Sequence, residues 1–200
     1  MGNTTAYTAA GTANFINGIV SLDSNGFSLG TSLFINTANV RYTWVAFSGS
    51  GGSDFKVGTY TGNGVDSTNL DIVGFQPDFV MIKSSGANAG CWRSSALAGD
   101  LTLFFANTNA AANYIQTLRP TGFQVGTNAS VNSNTVPYYY AAFKSAAGTM
   151  NVNSYVGDGN DNRSITGVGF QPDFVLVKQL TSGTAQTAAM RSNQNYGDES

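Results

Sequence analysis

The sequence of 200 residues contains no histidine and only one cysteine, Cys91. Histidine is the commonest general base and metal ligand, so its absence excludes Ser-His and Cys-His nucleophile pairs and histidine-based zinc sites. A single cysteine cannot form an intrachain disulfide, and we therefore expect Cys91 to be a buried free thiol. These absences argue against an enzyme and predict that the protein needs no cofactor.

Charge is also scarce, because only 10% of the residues are charged and the formal net charge is -2. Soluble domains usually reach about 25%. Binding of nucleic acid needs clustered cations, and no run of Lys or Arg is present, so we expect no nucleic-acid partner. No apolar run approaches the roughly 18 residues of a membrane span. A surface of uncharged polar residues favours a protein that is secreted or built into an assembly, and thus a virion or extracellular location.

What the sequence does contain is an internal repeat. The segment Val-Gly-Phe-Gln-Pro-Asp-Phe-Val occupies both residues 73–80 and residues 168–175, at an offset of 95. A second element, Gly-Phe-x-x-Gly-Thr, occupies 26–31 and 122–127 at an offset of 96. At that same offset Asn36 matches Asn132, Tyr42 matches Tyr138 and Phe47 matches Phe143. The recurrence predicts a unit of about 95 residues that is present more than once.

The order of the repeated elements predicts one complete unit and one split unit. We place the complete unit at 52–148 and the split, permuted unit at 1–51 plus 149–200. Within the split unit, a back half lies at roughly 13–48 and a front half at roughly 150–193. These two segments are called the N-terminal back half and the C-terminal front half below.

Half a unit exposes an unpaired strand edge and an uncovered apolar face. We therefore expect the two halves to meet, either within one chain or between neighbouring chains, unless the sequence is an excerpt of a longer array. Closure within the chain is favoured by the effective concentration of a tethered partner, and would place residues 40–47 and 168–178 in the same sandwich. Pairing between chains would instead give a homo-oligomeric ring or a filament.

Short apolar runs separated by turn residues predict an all-β fold, an antiparallel β-sandwich or a jelly roll. Residues 40–47 and 138–143 alternate and then become apolar. Residues 79–83 and 174–178 are continuous apolar runs, as expected for strands buried on both faces. Gly, Asn and Asp clusters separate these runs. Six side chains of the recurring strands are predicted to be buried: Phe79, Val80, Ile82, Phe174, Val175 and Val177.

The acidic residues and Arg93 are predicted to have structural roles. Asp78 and Asp173 recur within the repeated segment, and a carboxylate at such a turn is expected to accept hydrogen bonds from backbone N–H groups. Two equivalent catalytic acids in two equivalent units would be unusual. Arg93, which matches Arg191 if the second copy has a longer loop, is expected to form a structural ion pair.

One loop is a weak candidate for a metal site. Asp158, Asn160 and Asn162 place oxygen atoms at alternate positions, as at the opening of a calcium loop. The EF-hand pattern then requires a glycine where Arg163 stands, and it requires a glutamate that is missing. A turn is therefore the favoured interpretation, and a calcium site is the alternative.

Four aromatic residues are candidates for a ligand surface or an interface: Trp44, Trp92, Tyr138 and Tyr140. Aromatic side chains can form a platform on which sugar rings stack, which would make a cell-surface glycan a partner. Aromatic residues in strands more often belong to a core or a protein interface. Both interpretations are open at this point.

The complete unit contains the motifs Gly-Phe-x-Pro-x-Phe-Val-x-x-Lys at 74–83, Gly-Phe-x-x-Gly at 122–126 and Tyr-x-Tyr-x-Ala-Phe at 138–143. This pattern resembles a family of repeated β-modules in tail-fibre and other tail-associated virion proteins of tailed phages. The resemblance implies a non-enzymatic structural or adhesion subunit of a phage virion, on its tail, fibre or capsid exterior. Its partners would be further copies or other virion subunits. The alternatives are a subunit of a self-assembling extracellular filament and a lectin-like, glycan-binding module.

Overall fold

The computed structural model describes residues 5–6, 9, 15–180 and 184–193, and this part of the chain contains β-strands and no helix. The prediction of an all-β fold is confirmed. The strands are β1 Thr5–Ala6, β2 Phe15–Ile16, β3 Ile19–Asp23, β4 Gly26–Leu29, β5 Phe55–Thr61, β6 Thr68–Leu70, β7 Phe79–Ser84, β8 Cys91–Ser94, β9 Leu103–Phe104, β10 Ile115–Arg119, β11 Gly122–Val125, β12 Pro137–Phe143, β13 Phe174–Val177 and β14 Ala189–Ser192.

The complete unit folds as two antiparallel sheets around one core. One sheet has five strands in the order β5-β12-β7-β8-β9, and the other has three strands in the order β10-β11-β6. Side chains alternate between the two faces of a strand, so every second residue of β7 and β12 points into the core. The core contains Val73, Phe75, Val80, Ile82, Cys91, Phe104, Ile115, Phe123, Val125, Val131, Tyr138, Tyr140 and Ala142.

Strand β12 has the central position in this unit. It pairs with β5 from Pro137 to Phe143, and on its other edge it pairs with β7 from Tyr138 to Phe143. Both neighbours come from the front part of the unit, which is the counterpart of residues 150–193, whereas β12 comes from the back part, which is the counterpart of residues 13–48. The front part therefore needs the back part to complete its sheet.

Each half of the split unit contains a hairpin with the same register as its counterpart in the complete unit. Phe79 lies opposite Ser94 in β7–β8, and Phe174 lies opposite Ser192 in β13–β14. The hairpins β3–β4 and β10–β11 share their register, and both have an irregularity at the same place, after Ile19 and after Ile115. Locally, the halves fold as the repeat predicts.

Among the described residues, the two halves do not form the second sandwich that was expected from closure within the chain. Residues 40–47, which the sequence predicts as a strand, have no strand structure and are exposed. The predicted burial is confirmed for Val80 and Ile82, which are 0% and 2% exposed, and Phe79 is half-buried. It is wrong for the second copy, where Phe174, Val175 and Val177 are 37%, 42% and 37% exposed. The physical reason is that β13 lacks the central strand that covers β7.

The face of the five-stranded sheet that points away from the core carries a cluster of aromatic rings, and the N-terminal back half contacts it. The Phe47 ring lies 4.9 Å from that of Phe143 and 5.9 Å from that of Phe55. In the segment after β9, the Phe105 carbonyl accepts a hydrogen bond from Ala188 N at 3.2 Å, next to β14. Lys178 Nζ donates to the Ala106 carbonyl at 3.1 Å. Both half units thus contact the complete unit.

Matched substitutions of equivalent valines test this difference in burial. Val80→Ala should lower the free energy of unfolding by about 2 kcal/mol, because two buried methyl groups are replaced by a cavity. In this arrangement of the chain Val175→Ala should cost less than half as much, because that side chain is in contact with water. Urea denaturation followed by tryptophan fluorescence measures both values. Equal losses would show that another segment covers Val175 in solution.

Candidate functional site

Three of the four aromatic candidates are inside the complete unit. Tyr138 is fully buried and its ring stacks on that of Tyr60, with the centroids 5.1 Å apart. Its hydroxyl donates to the Ala129 carbonyl at 2.8 Å and accepts from Ser133 N at 2.7 Å. Tyr140 is also buried, and its hydroxyl donates to the Ile72 carbonyl at 3.2 Å. Burial raises the pKa of Tyr140, as expected for a phenol that leaves water.

The two tryptophans have different environments. Trp92 is buried between Phe79 and Phe105, with ring centroids at 5.3 and 6.4 Å, and its Nε1 has no hydrogen-bond partner. Trp44 is 70% exposed and makes an edge contact with Phe27 at 5.6 Å. A sugar-stacking platform from all four residues is therefore not assembled. Tyr138 and Tyr140 belong to the core. Trp92 is buried beside Phe79 outside that core, and Trp44 alone of the four remains accessible.

The candidate calcium loop is organised as a hydrogen-bonded turn. Asp158 Oδ1 accepts from Asn160 N at 3.1 Å, and Asp158 Oδ2 lies 3.3 Å from the Arg163 guanidinium. Asn162 donates its side-chain amide to Asp161 at 2.9 Å. The guanidinium neutralises the carboxylate on which a cation would depend. Among the described residues, no group of three or more Cys, Asp or Glu side chains could hold a metal ion.

The repeated aspartates do accept hydrogen bonds at turns. Asp78 Oδ2 accepts from Ser145 N at 2.8 Å, which ties the start of β7 to the end of β12 and confirms the backbone partner predicted from the sequence. Asp173 has a different partner, because its Oδ1 accepts from the Asn193 side-chain amide at 2.5 Å. These carboxylates hold loops in place.

Arg93 does not form the ion pair that the sequence predicts. Its buried guanidinium donates to backbone carbonyls, those of Leu97 at 3.1 Å, Gly99 at 2.6 Å and also Leu101. Burial lowers the pKa of Arg93, and the nearby Asp100 carboxylate partly opposes this effect. The loop from residue 95 to residue 101 wraps around the guanidinium, so neutral carbonyl groups replace the expected carboxylate.

The residue that joins the two parts of the complete unit is Asn132, to which the sequence alone did not assign a role. Its side chain is buried and donates to the Gly126 carbonyl at 2.9 Å and to the Val65 carbonyl at 2.8 Å. Its Oδ1 accepts from Asn63 N at 2.9 Å. One amide thus satisfies backbone groups from both sides of the junction. The sequence feature that could have revealed this role is the recurrence of the asparagine as Asn36. In the N-terminal back half, Asn36 donates to the Gly30 carbonyl at 2.7 Å.

The contact between the front and back parts, called the junction below, is the best-defined candidate site. It consists of β12 between β5 and β7, together with the hydrogen bonds of Asn132 and Asp78. Its chemistry is that of an interface, since its polar atoms bind backbone groups. Cys91 behind it is a buried free thiol, as predicted, and burial raises its pKa. The described part of the chain has no helix that could span a membrane.

Asn132 and its counterpart provide a matched pair of variants. Asn132→Ala removes three hydrogen bonds, each with a net contribution of about 1 kcal/mol, and should lower the free energy of unfolding by about 3 kcal/mol. In this arrangement of the chain Asn36→Ala removes one exposed bond and should cost less than about 1 kcal/mol, whereas closure of a second sandwich would bring its loss close to that of Asn132→Ala. Thermal and urea unfolding measure both values. A loss below about 1 kcal/mol for Asn132→Ala would show that Asn132 does not join the two parts.

Comparison with protein families matches residues 48–196 to a domain of unknown function (DUF7483). The matched segment contains the complete unit with its junction, and it continues into the C-terminal front half. No curated protein and no solved structure shows a significant match to the chain. Since the family model spans well over half of the sequence, this protein belongs to the DUF7483 family.

Proposed function

We propose that this protein is a non-enzymatic structural or adhesion subunit of a phage virion, on the tail, fibre or capsid exterior. The observation that carries the proposal is the recurrence of the same hairpins in the same register, β7–β8 with β13–β14 and β10–β11 with β3–β4. A unit that repeats in register is suited to building an array by addition of copies. The motifs resemble those of tail-associated modules of tailed phages, and this resemblance is the reason for proposing a phage virion as the assembly.

The use of polar side chains in the complete unit supports a structural role. Arg93, Asp78 and Asn132 bind backbone groups and hold loops together. Catalysis needs groups that point at a substrate in a cleft, with a base within hydrogen-bond reach of the atom that reacts. The groups that the repeat retains are engaged in maintaining the fold.

A second candidate function is a subunit of an extracellular filament, which the exposed apolar side chains of the half units favour. Trp44, Phe34, Leu22 and Val156 are between 70% and 86% exposed. Apolar side chains that gather on incomplete units mark surfaces that bind other protein. A glycan-binding module is the third candidate, and it depends on Trp44 because the other aromatic candidates are buried.

Immunogold labelling with an antibody against the complete unit separates the first two candidates. We expect gold particles on the exterior of purified virions and none on cell-surface threads from the same culture. Labelling of threads alone would replace the virion proposal with the filament. The third candidate is tested on a glycan array, where we expect no specific binding. Binding that is lost in Trp44→Ala, with an unchanged melting temperature, would instead support the lectin-like role.

A further inference from the structure

Strand β13 of the C-terminal front half has an open edge beside an apolar face. In the complete unit, the equivalent edge of β7 is paired with β12. Among the described strands, β13 pairs with β14 alone. Val175 and Val177 correspond to the core residues Val80 and Ile82, yet both are exposed. An open edge next to an apolar face is a site that another strand can fill.

Gly157 indicates that this site is normally covered. At the equivalent position, Gly62, a Cβ atom would overlap the Ser133 carbonyl oxygen and crowd the ring of Tyr138, so only glycine fits beneath the back part of the unit. At Gly157 the added Cβ would meet nothing within 4 Å, and its φ does not lie in the left-handed region. Neither space nor backbone conformation requires glycine there in the half unit alone. The requirement would arise once a back half covers it.

The N-terminal back half already has the shape of the missing part. The Tyr42 hydroxyl accepts from Thr37 N at 3.1 Å and donates to the Leu33 carbonyl at 3.4 Å, as the Tyr138 hydroxyl does with Ser133 and Ala129. The edge contact of Trp44 with Phe27 matches that of Tyr140 with Phe123, which has a centroid distance of 5.4 Å. A segment that holds its bound conformation before binding loses little entropy when it docks.

Residues 41–47, the candidate for the missing strand, also lie close to the β13–β14 hairpin within the same chain. Residues 43–45 line a cleft together with Phe174, Met190 and Ser192 of the β13–β14 hairpin. At the end of the segment, Phe47 packs on Phe143. Residues 144–150 lead from Phe143 into the C-terminal front half through a bridge between Ala146 and Met150. A tethered strand at this distance has a high effective concentration relative to a strand from another molecule.

We propose that residues 41–47 are the missing central strand of the C-terminal front half, and that they close a second sandwich within one chain. The register follows from that of β12 with β7, in which Tyr140 lies opposite Ile82 and Ala142 opposite Val80. Transferred by the repeat, Ala46 lies opposite Val175 and Val45 opposite Leu176. This interaction surface does not depend on the function proposed above, and its partner is the chain's own N-terminal back half.

Disulfide trapping tests both the register and the chain from which the strand comes. The double variants Ala46→Cys with Val175→Cys, and Val45→Cys with Leu176→Cys, place thiols at neighbouring in-register pairs, one of which has the closer Cα spacing. Cys91 is buried and does not compete. We expect at least one pair to form an intrachain cross-link under mild oxidation, detected as a monomer of altered mobility and confirmed by peptide mass spectrometry.

The off-register pair Val45→Cys with Val175→Cys is the control, because a shift by one residue puts the two side chains on opposite faces. It should not cross-link. A mixture of the single variants Ala46→Cys and Val175→Cys should remain monomeric. Covalent dimers in that mixture would overturn closure within the chain and show exchange between copies. Failure of both in-register pairs would overturn the proposed strand itself.

Gly157→Ala tests the same closure through the space available at residue 157. In the cross-linking background it should abolish most of the disulfide, because its Cβ would collide with the docked back half, while the unfolding of the complete unit stays unchanged. Val156→Ala is the matched control, since its counterpart Thr61 is exposed and its own side chain is exposed. Undiminished cross-linking in Gly157→Ala would contradict the proposed packing.

Discussion

The fold depends on one insertion, that of strand Pro137–Phe143 between two strands that come from the other part of the unit. This strand supplies main-chain partners to both neighbours at once and brings Tyr138, Tyr140 and Ala142 into the core. The Asn132 amide then satisfies backbone groups on both sides. Because a sheet gains its hydrogen bonds and its apolar burial together, neither part of the unit reaches its stable form without the other.

The split unit shows the effect of leaving that insertion out. Its hairpins keep the registers of their counterparts, since turns and cross-strand pairs are local. Burial is not local, and Val175 is exposed whereas Val80 is completely buried, although the two valines lie in identical segments. The exposed apolar surface is therefore a property of incomplete pairing and not of composition. Such surface persists only until another protein segment covers it.

The sequence predicted the all-β class, the strands at 79–83 and 138–143 and the burial of Val80 and Ile82, because the alternation of a strand and the residues of a turn are properties of neighbouring residues. It could not predict that residues 40–47 lack strand structure, because a strand exists through its partner. It also assigned Arg93 an ionic partner, where the loop supplies carbonyl groups. Asn132 recurs as Asn36, so its role could have been found by asking which repeated polar residues must serve backbone groups.

Some junction residues are identical in the two copies, and others differ. The identical residues indicate what any such junction requires, and the residues that differ indicate how the aromatic packing varies. Gly62 and Gly157 are both glycine, and Asn132 and Asn36 are both asparagine. By contrast Gly58, which the Tyr140 ring covers closely, is replaced at the offset of 95 by Asn153, and Tyr140 itself is replaced by Trp44. The counterpart of strand β5, which contains Asn153, must therefore pack differently against the central strand. Strand β13, the counterpart of β7, retains apolar residues throughout. The polar contacts of the junction are thus the same in both copies, whereas the aromatic packing differs. A difference in packing makes a front half bind its own back half more tightly than the back half of the other copy, and such a difference in affinity is specificity.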